Sequence, residues 1–391
     1  MRVVILQDFL RSGGTEAQTL FLGKLLQDAG QTVHLLTARP GGRLAGRAAD
    51  LGLTHESLTR RDWRINRFPR RRLGVRLKAL QPGLLILMGR TANEAGAWLA
   101  KHLPALPRIA TVRTGRPFTS PYRAGLRSAR VVIVNSRYAE ARVRRLDVSE
   151  NRIQVIRNPL VRLFDPAGRA DRRDRCRQAV GTPPETPVLI KIAAFRPGKN
   201  HQGLLAILSG LQTDPAWELW LLGEGRERRR CERIARRYGL ADRVRFLGYQ
   251  ADPVPYYEAA DVACLTSLEE SLPNFLIEAQ AAGLPVVAYD VAGVGECFAD
   301  GRSGLLVRPA DTTGYRRALV QLLENPERRR SFAAVGPAFV REHFSPERQA
   351  DQYRQALAPW LNGDGKASRQ ARAEEGCRRC PCDDHGPPDR Q

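Results

Sequence analysis

The chain has 391 residues, of which 42% are hydrophobic, and it carries a formal net charge of +22 with a pI near 10.6. This length predicts about two domains, because single cores rarely grow beyond about 250–300 residues. The charge indicates an anionic partner surface, such as nucleic acid, acidic lipid or lipopolysaccharide, unless it reflects a general arginine bias of the source. No run of 18 apolar residues occurs, so we expect no transmembrane helix.

The beginning of the sequence and its cysteines indicate a cellular compartment. Residues 1–6 form a strand-like run without a small-residue cleavage site, which is not typical of a signal peptide. Four of the seven cysteines are scattered through the chain and are typical of reduced residues, not of a disulfide framework. These four are Cys176, Cys231, Cys264 and Cys297. We therefore expect the protein to remain in the cytosol.

The first half of the sequence predicts a doubly wound parallel sheet. Residues 2–6 predict a strand, residues 12–16 a turn, and residues 17–29 a helix. Gly13 and Gly14 in this turn allow the backbone to approach a group bound at the helix start, although two glycines are also typical of a simple tight connection. Further apolar strands alternate with segments that can be helical. The strands are predicted at 84–88, 109–112 and 131–134, and one of the helices at 93–103.

A strongly basic segment lies within this half. Arg60 to Arg72 contains seven arginines among thirteen residues, interleaved with Trp63, Ile65 and Phe68. Such a mixture is what an interfacial membrane segment requires, because aromatic rings lie at headgroup depth and guanidinium groups pair with phosphates. A solvated basic loop and a nucleic-acid contact are the alternatives, although no recognition fold accompanies the segment.

The second half predicts a second sheet of the same type. Residues 166–187 are rich in charge and proline and are predicted to be the interdomain linker and the entry to the second domain. Strands are predicted at 188–193, 217–222 and 244–248. The loop after the first of these strands carries two cations, Arg196 and Lys199, which any surface loop of so basic a protein could also contain.

A strand–loop–helix–strand unit at 262–288 contains two carboxylates, Glu270 and Glu278. Pro273 suits the start of a helix, and Gly283 ends it before a second apolar strand. Glu270 should therefore lie at the carboxyl end of a strand, and Glu278 one to two turns into the helix. The helix start suits a phosphate, and ionised carboxylates accept hydrogen bonds from hydroxyl-rich groups such as ribose and a sugar. A chance spacing of two glutamates is the alternative.

This spacing, together with the string through Gly283-Leu-Pro-Val-Val-Ala288, resembles the E-x7-E motif of the retaining GT-B glycosyltransferases of family 4. The resemblance covers residues 1–361 and implies a GT-B fold, in which two Rossmann-like domains face each other across a cleft. It implies that Glu270 holds the donor sugar and is catalytic, and that Lys199 and Arg196 neutralise the donor diphosphate and take part in catalysis. The remaining donor-binding residues that it implies are Gly14, Leu247, Gly248, Ser271, Leu272, Asn274 and the ribose-binding Glu278.

The sequence departs from the family pattern in two places. Many members carry a histidine in the loop that corresponds to residues 111–115, where this chain has Arg113 and no histidine. The nearby His102 is predicted to be structural. The usual spacing of the diphosphate arginine points to Ala194, whereas the available cation is Arg196.

The resemblance implies retaining transfer of a sugar from a nucleotide-sugar, most simply a UDP-sugar, to a lipid-linked or lipopolysaccharide acceptor. No D-x-D follows a core strand, so we expect no divalent metal and no cofactor beyond the nucleotide-sugar substrate. We also expect peripheral attachment to the inner face of an anionic membrane through Arg60–Arg72, and no nucleic-acid partner. Two alternatives are a GT-B sugar-nucleotide epimerase, which the scarcity of histidine disfavours, and a basic nucleic-acid-binding protein, which would leave the glutamate unit without a purpose.

The predicted division places an acceptor domain at 1–165 and a nucleotide-sugar domain at 166–340. A helix at 341–361 is predicted to cross back to the first domain, as the last helix does in GT-B proteins. Residues 362–391 are polar and charged and are predicted to be disordered. Their Cys377, Cys380, Cys382 and His385 have a spacing that could hold zinc, although a single cluster without a core is more typical of an accident.

Overall fold

The computed structural model describes residues 1–11, 13–60, 69–162 and 164–361. The predicted zinc ligands in the tail, most of the Arg60–Arg72 segment and Ser12 therefore lie outside the described residues. Within the described part of the chain, two parallel sheets with helices on both faces form two α/β domains. The predicted fold class is confirmed.

The N-terminal sheet is seven-stranded and has the order β3-β2-β1-β4-β5-β6-β7. Strands such as Leu84–Leu87 and Val131–Val134 are apolar at every position because helices cover both faces of the sheet. The strands are β1 (Arg2–Gln7), β2 (Thr32–Thr37), β3 (Thr54–Ser57), β4 (Leu84–Leu87), β5 (Arg108–Val112), β6 (Val131–Val134) and β7 (Ile153–Val155). The helices are α1 (Gly14–Asp28), α2 (Ala45–Asp50), α3 (Arg70–Leu80), α4 (Arg90–Glu94), α5 (Gly96–His102), α6 (Ser120–Ser128) and α7 (Arg137–Arg144).

The C-terminal sheet is six-stranded and has the order β10-β9-β8-β11-β12-β13. Its strands are β8 (Val188–Ile192), β9 (Glu218–Leu222), β10 (Val244–Gly248), β11 (Val262–Leu265), β12 (Val286–Tyr289) and β13 (Gly304–Val307). The helices of this half are α8 (Arg169–Val180), α9 (His201–Leu208), α10 (Arg228–Arg237), α11 (Val254–Ala259), α12 (Asn274–Ala281), α13 (Thr312–Leu323), α14 (Pro326–Phe344) and α15 (Pro346–Leu361).

Three segments differ from the sequence predictions. The helix predicted at 17–29 begins at Gly14, with Gly13 as its N-cap. The helix predicted at 93–103 is divided between α4 and α5, which meet at Ala95. The predicted linker contains α8, whose Arg173 and Arg177 pair with Asp261 of the C-terminal domain at 2.8 and 2.7 Å. Because this helix docks through arginines, it shows no apolar period.

The last helix, α15, packs against the N-terminal sheet. Its Ala350, Tyr353 and Leu357 belong to the same buried cluster as Val3 and Ile5 of β1. The preceding helix α14 remains on the C-terminal domain, where Val340 and Phe344 pack with residues of α12. The chain therefore returns to its first domain between α14 and α15.

Candidate active site at the interdomain cleft

A cavity of about 1,120 Å³ lies between the two domains at the carboxyl edges of both sheets. In each sheet the strand order reverses direction at one point, between β1 and β4 and between β8 and β11. Ligands of open α/β sheets bind at such switch points, where diverging loops leave a crevice. Gly14 and Arg90 follow the first pair of strands, and Lys199 and Glu270 follow the second pair. The cleft is therefore built from both switch points.

Lys199 and Glu270 form an ion pair on the C-terminal side of the cleft. The ammonium Nζ of Lys199 lies 2.6 Å from Oε1 of Glu270. The side chains are 21% and 8% exposed, so the pair is largely shielded from water, and both residues line the cleft. The structure thus brings together two residues that come from different loops. A cation beside a carboxylate can meet the phosphate and the hydroxyls of one bound molecule.

Arg196 also lines the cleft, in the loop that carries Lys199. Arg116 and Arg11, from the opposite domain, are close enough to interact electrostatically with Arg196. Arg116 also forms an interdomain ion pair with Glu269, with Nε and Oε2 3.3 Å apart. These side chains make a cationic rim around the ion pair of Lys199 and Glu270, which suits a bound polyanion.

Glu278 also lines the cleft, and two side chains hold its carboxylate. The hydroxyl of Tyr257 donates to its Oε2 at 2.8 Å, and Nε of Arg162 lies 3.3 Å from the same oxygen. Burial raises the pKa of Glu278 above its ordinary value, while Arg162 and Tyr257 oppose that shift. One carboxylate oxygen is occupied by these contacts, and the other can accept hydrogen bonds from a ligand.

The domains meet through uncharged polar side chains at the floor of the cleft. Ser271 donates to Oδ1 of Asn135 at 2.6 Å. Asn158 donates to Oδ1 of Asn274 at 2.6 Å and to the carbonyl of Leu272 at 3.3 Å. The predicted donor-binding residues of the 271–274 loop therefore lie in the cleft lining, but some of their polar groups bind the facing domain.

Two glycines allow the domains to approach at backbone distance. A Cβ on Gly115, in the N-terminal domain, would overlap the backbone of Glu270. A Cβ on Gly14 would lie 2.9 Å from Nδ2 of Asn274. Only glycine lacks that atom, so these positions set how tightly the N-terminal loops close over the Glu270 loop.

Arg113 is one of the charged residues through which the N-terminal domain lines the cleft. Its guanidinium donates to Oδ1 of Asn158 and to the hydroxyl of Tyr353 from the returning helix α15. His102 instead stacks on Trp98 with ring centroids 4.4 Å apart, outside the cleft lining.

Leu247 and Gly248 lie behind the cleft wall. The cleft lining at this point consists of the next residues in the chain, which include Tyr249 and Gln250. Leu247 packs against the apolar cluster beneath the sheet, and the carbonyl of Gly248 accepts from the amide of Gly223 at 2.6 Å. The ring of Tyr249 is covered by the guanidinium of Arg43, which lies 4.0 Å from the ring centroid.

Sequence reasoning did not select three side chains that support the site, Arg162, Tyr257 and Lys191. Arg162 and Tyr257 gave no signal, because each is an ordinary residue outside any motif. Lys191 could have been found, since it interrupts the apolar strand Val188–Ile192 and such a charge is expensive to bury.

Two further features concern the residues that the structure describes. No helix in that part of the chain is long and apolar enough to cross a membrane. Among the same residues, no three His, Cys, Asp or Glu side chains are grouped so that they could hold a metal ion.

The fold and the cleft define a two-domain α/β protein with a crevice lined by several arginines and lysines. Residues 12–160 match the family model described as Glycosyltransferase Family 4, and residues 172–338 match the model described as Glycosyl transferases group 1. The chain therefore belongs to the glycosyltransferases of the GT-B fold.

Curated relatives and solved structures agree with this membership. The chain is 34% identical over 206 residues to a lipopolysaccharide core biosynthesis glycosyltransferase, LpsE, of Rhizobium meliloti (strain 1021), a match that covers 53% of this chain and 58% of the relative. It is 36% identical over 217 residues to D-inositol 3-phosphate glycosyltransferase 2 of Catenulispora acidiphila, covering 52% of this chain and 50% of the relative. The chain thus spans only about half to three-fifths of the length of these curated relatives.

The crystal structure of Anabaena Alr3699/HepE in complex with UDP-glucose superimposes with a TM-score of 0.79 over 92% of this chain and 99% of that chain. The sequence identity is 20%, so this likeness shows the shared fold.

Proposed function

We propose that the protein transfers a sugar from a UDP-sugar to a lipid-linked or lipopolysaccharide acceptor, with retention of the anomeric configuration. The observation that carries this proposal is the ion pair of Lys199 and Glu270 at the switch point of the C-terminal sheet. A cation and a carboxylate in contact can bind the two halves of a sugar diphosphate. The UDP-glucose bound by the Anabaena structure supports the choice of nucleotide, and the Rhizobium meliloti relative supports the choice of acceptor.

In the proposed reaction, the bond between the anomeric carbon and the diphosphate oxygen breaks, and a hydroxyl of the acceptor bonds to that carbon from the same face. The departing phosphate oxygen accepts the hydroxyl proton, so the products are UDP and the glycoside. Lys199 and Arg196 stabilise the negative charge that develops on the leaving phosphate. Glu270 orients hydroxyls of the donor sugar, and Glu278 binds the ribose hydroxyls. No protein nucleophile and no divalent metal take part in this scheme.

The opposite wall of the cleft supports an acceptor on the N-terminal side. Arg90, Arg113 and Arg116 line that wall, and Gly115 brings it against the backbone of Glu270. An acceptor hydroxyl held there would lie beside the donor sugar. Arg113 occupies the loop where many family members carry a histidine, and we assign to it the contact that this domain makes with the reacting sugars.

We further propose that the protein associates peripherally with the inner face of an anionic membrane. Helix α3 begins with Arg70 and Arg71, which are exposed, and it presents Val75 to solvent with 70% of its surface accessible. The same helix buries Leu73 and Leu77 against the N-terminal sheet, so its basic face is turned outward. Such a face suits a headgroup layer.

Incubation with radiolabelled UDP-sugars tests the proposed activity. Slow hydrolysis of the donor, or transfer to a lipopolysaccharide fraction, is the result expected of a transferase. An altered sugar that remains attached to UDP would show an epimerase instead. The absence of binding and turnover with every nucleotide-sugar tried would contradict the proposal and leave a binding protein.

A further inference from the structure

A buried lysine lies directly beneath the proposed diphosphate site. Lys191 is on β8 and its side chain is fully buried, at 0% exposure. Its ammonium donates to the carbonyl of Lys199 at 2.7 Å and to the hydroxyl of Thr266 at 2.8 Å. These acceptors belong to the two loops that carry Lys199 and Glu270. Lys191 is therefore hydrogen-bonded to both of the loops whose side chains form the ion pair.

The contact with Thr266 is part of a small network that fixes the Lys199 loop. Thr266 donates onward to the carbonyl of Asn200 at 2.9 Å, and Asn200 returns a hydrogen bond to the carbonyl of Thr266 at 3.1 Å. Asn200 has a φ of 51°, in the left-handed region, and its side chain caps α9 through the amide of Gly203. A backbone held in this conformation needs such support.

The charge of Lys191 has no counter-ion in the described part of the chain. Its acceptors are an uncharged carbonyl and a hydroxyl, and the nearby Glu270 is paired with Lys199. Burial, and after it the positive charge of Lys199, lower the pKa of Lys191 to about 7. An ammonium without a counter-ion is costly to bury, and an anion bound just above it would offset that cost.

Few charged or titratable groups surround Lys191 in the described part of the chain. His201 of α9 stacks on Phe195 and remains neutral because burial lowers its pKa well below the ordinary value. Burial also raises the pKa values of Cys264 on β11 and Cys231 on α10, to about 12 and about 11. The charged and titratable groups that face Lys191 are therefore Lys199, Glu270, Cys264, Cys231 and His201.

We propose that Lys191 is a positioning residue of the proposed transferase, which holds the Lys199 loop against the Glu270 loop and adds a proton-dependent positive charge beneath the donor diphosphate. This inference rests on the proposed function. Donor binding should stabilise the ammonium form, so binding takes up a proton where free Lys191 is partly neutral. The affinity for the donor should then fall as the pH rises, because the empty site increasingly holds neutral lysine.

Calorimetric titration with UDP-glucose tests the inference without an acceptor. At about pH 7.5 the wild-type protein should take up about half a proton on binding, if the anion raises the lysine pKa by one unit from about 7. This uptake is measured from the dependence of the observed enthalpy on the ionisation enthalpy of the buffer. Between about pH 6 and about pH 8.5 the affinity should fall by up to about tenfold.

Lys191→Met keeps the length of the side chain and removes its charge. It should bind UDP-glucose more weakly than the wild type at low pH, with no proton uptake and little pH dependence. Lys101→Met, at an exposed lysine of α5, is the matched control and should behave as the wild type. Thr266→Val keeps the ammonium, so it should retain proton uptake even where it weakens binding, and it provides a second variant if Lys191→Met fails to fold.

The possible results separate the two proposals. Binding by the wild type without proton uptake, or equal uptake by Lys191→Met, would overturn the inference about Lys191 and leave the proposed function intact. A wild-type protein that binds no nucleotide-sugar would overturn the proposed function, and the inference with it.

Discussion

Lys199 and Glu270 lie in contact, with Nζ and Oε1 2.6 Å apart, although they come from the loops after two different strands. The proposed roles divide this pair between the phosphate and the sugar of one donor molecule. These roles require the phosphate to bind at the ammonium of Lys199 and the sugar to bind at the carboxylate of Glu270. The two binding groups lie within one hydrogen-bond length of each other. In the proposed reaction, the bond to be broken lies next to this pair.

Lys199→Ala should lower the turnover of a UDP-sugar by about 10²-fold or more, because it removes a cation from the site where charge develops on the leaving phosphate. Initial rates of donor hydrolysis provide the measurement, and far-ultraviolet circular dichroism checks the fold. Lys101→Ala, an exposed lysine far from the cleft lining, should leave the rate unchanged. Near-normal turnover in Lys199→Ala would contradict the proposal that Lys199 binds the donor diphosphate.

Glu278→Gln should chiefly weaken the binding of the donor. The amide accepts hydrogen bonds at only one atom, and it loses the charge that attracts Arg162 at 3.3 Å. The dissociation constant and kcat should be measured separately, since the proposed ribose contact predicts a larger effect on the former. A variant with unchanged affinity and no turnover would show that the roles of the two glutamates are wrongly divided.

Gly115→Ala should lower turnover by about tenfold or more while the protein remains folded, because a misplacement near 1 Å at reacting groups can cost about 10²-fold. The added Cβ would overlap the backbone of Glu270 and hold the domains apart. Gly46→Ala on α2 is the matched control, since a Cβ there meets no atom within 4 Å. Equal rates for both variants would mean that the observed approach of the domains is not needed for the reaction.

Lys191 should make the stability of the protein depend on pH. Its pKa is about 7 in the folded protein, against an ordinary value of 10.5. Between these values the unfolded chain binds more protons, so the free energy of unfolding contributed by Lys191 rises with pH, by up to about 1.4 kcal/mol per pH unit. Urea unfolding of the wild type and of Lys191→Met at about pH 7 and about pH 9 measures the difference between them. A difference that is the same at both pH values would contradict the buried titration.

Replacement of Arg70, Arg71 and Arg72 by Glu should abolish binding to anionic vesicles. Each arginine near such a surface contributes about 1 kcal/mol, and salt weakens the attraction because the Debye length falls from about 10 Å at 0.1 M to about 3 Å at 1 M. Co-sedimentation at low and high salt measures the binding, and hydrolysis of the soluble donor should be almost unchanged. Persistent vesicle binding would place the membrane face elsewhere, and an equal loss of hydrolysis would indicate a structural segment.

Local patterns predicted the parts of the fold that are coded by apolar runs. The strands that contain Leu84 and Val131 were found because they are buried on both faces and apolar at every position. Helix α8 was missed because it docks through Arg173 and Arg177, and its burial rests on ion pairs that leave no apolar period. An apolar period in a sequence reveals only those helices that are buried through apolar contacts.

The sequence indicated individual candidate residues of the site but not the contacts among them. Glu270 and Lys199 were selected from their loops, whereas their mutual contact depends on the neighbouring positions of β8 and β11 in the sheet. The closure of Gly115 onto Glu270 depends on how the two domains face each other, which no local pattern encodes. Leu247 and Gly248 were selected for backbone contacts from the end of their strand, and the residues that line the cleft there are Tyr249 and Gln250, which follow them directly.

A crystal structure of the protein with an unreacted UDP-sugar is the most direct test of the central claim. We expect the diphosphate within hydrogen-bond distance of Lys199 Nζ, a sugar hydroxyl on the carboxylate of Glu270, and the ribose on Glu278. A donor bound with its diphosphate away from Lys199, or with the sugar directed away from Glu270, would contradict the account.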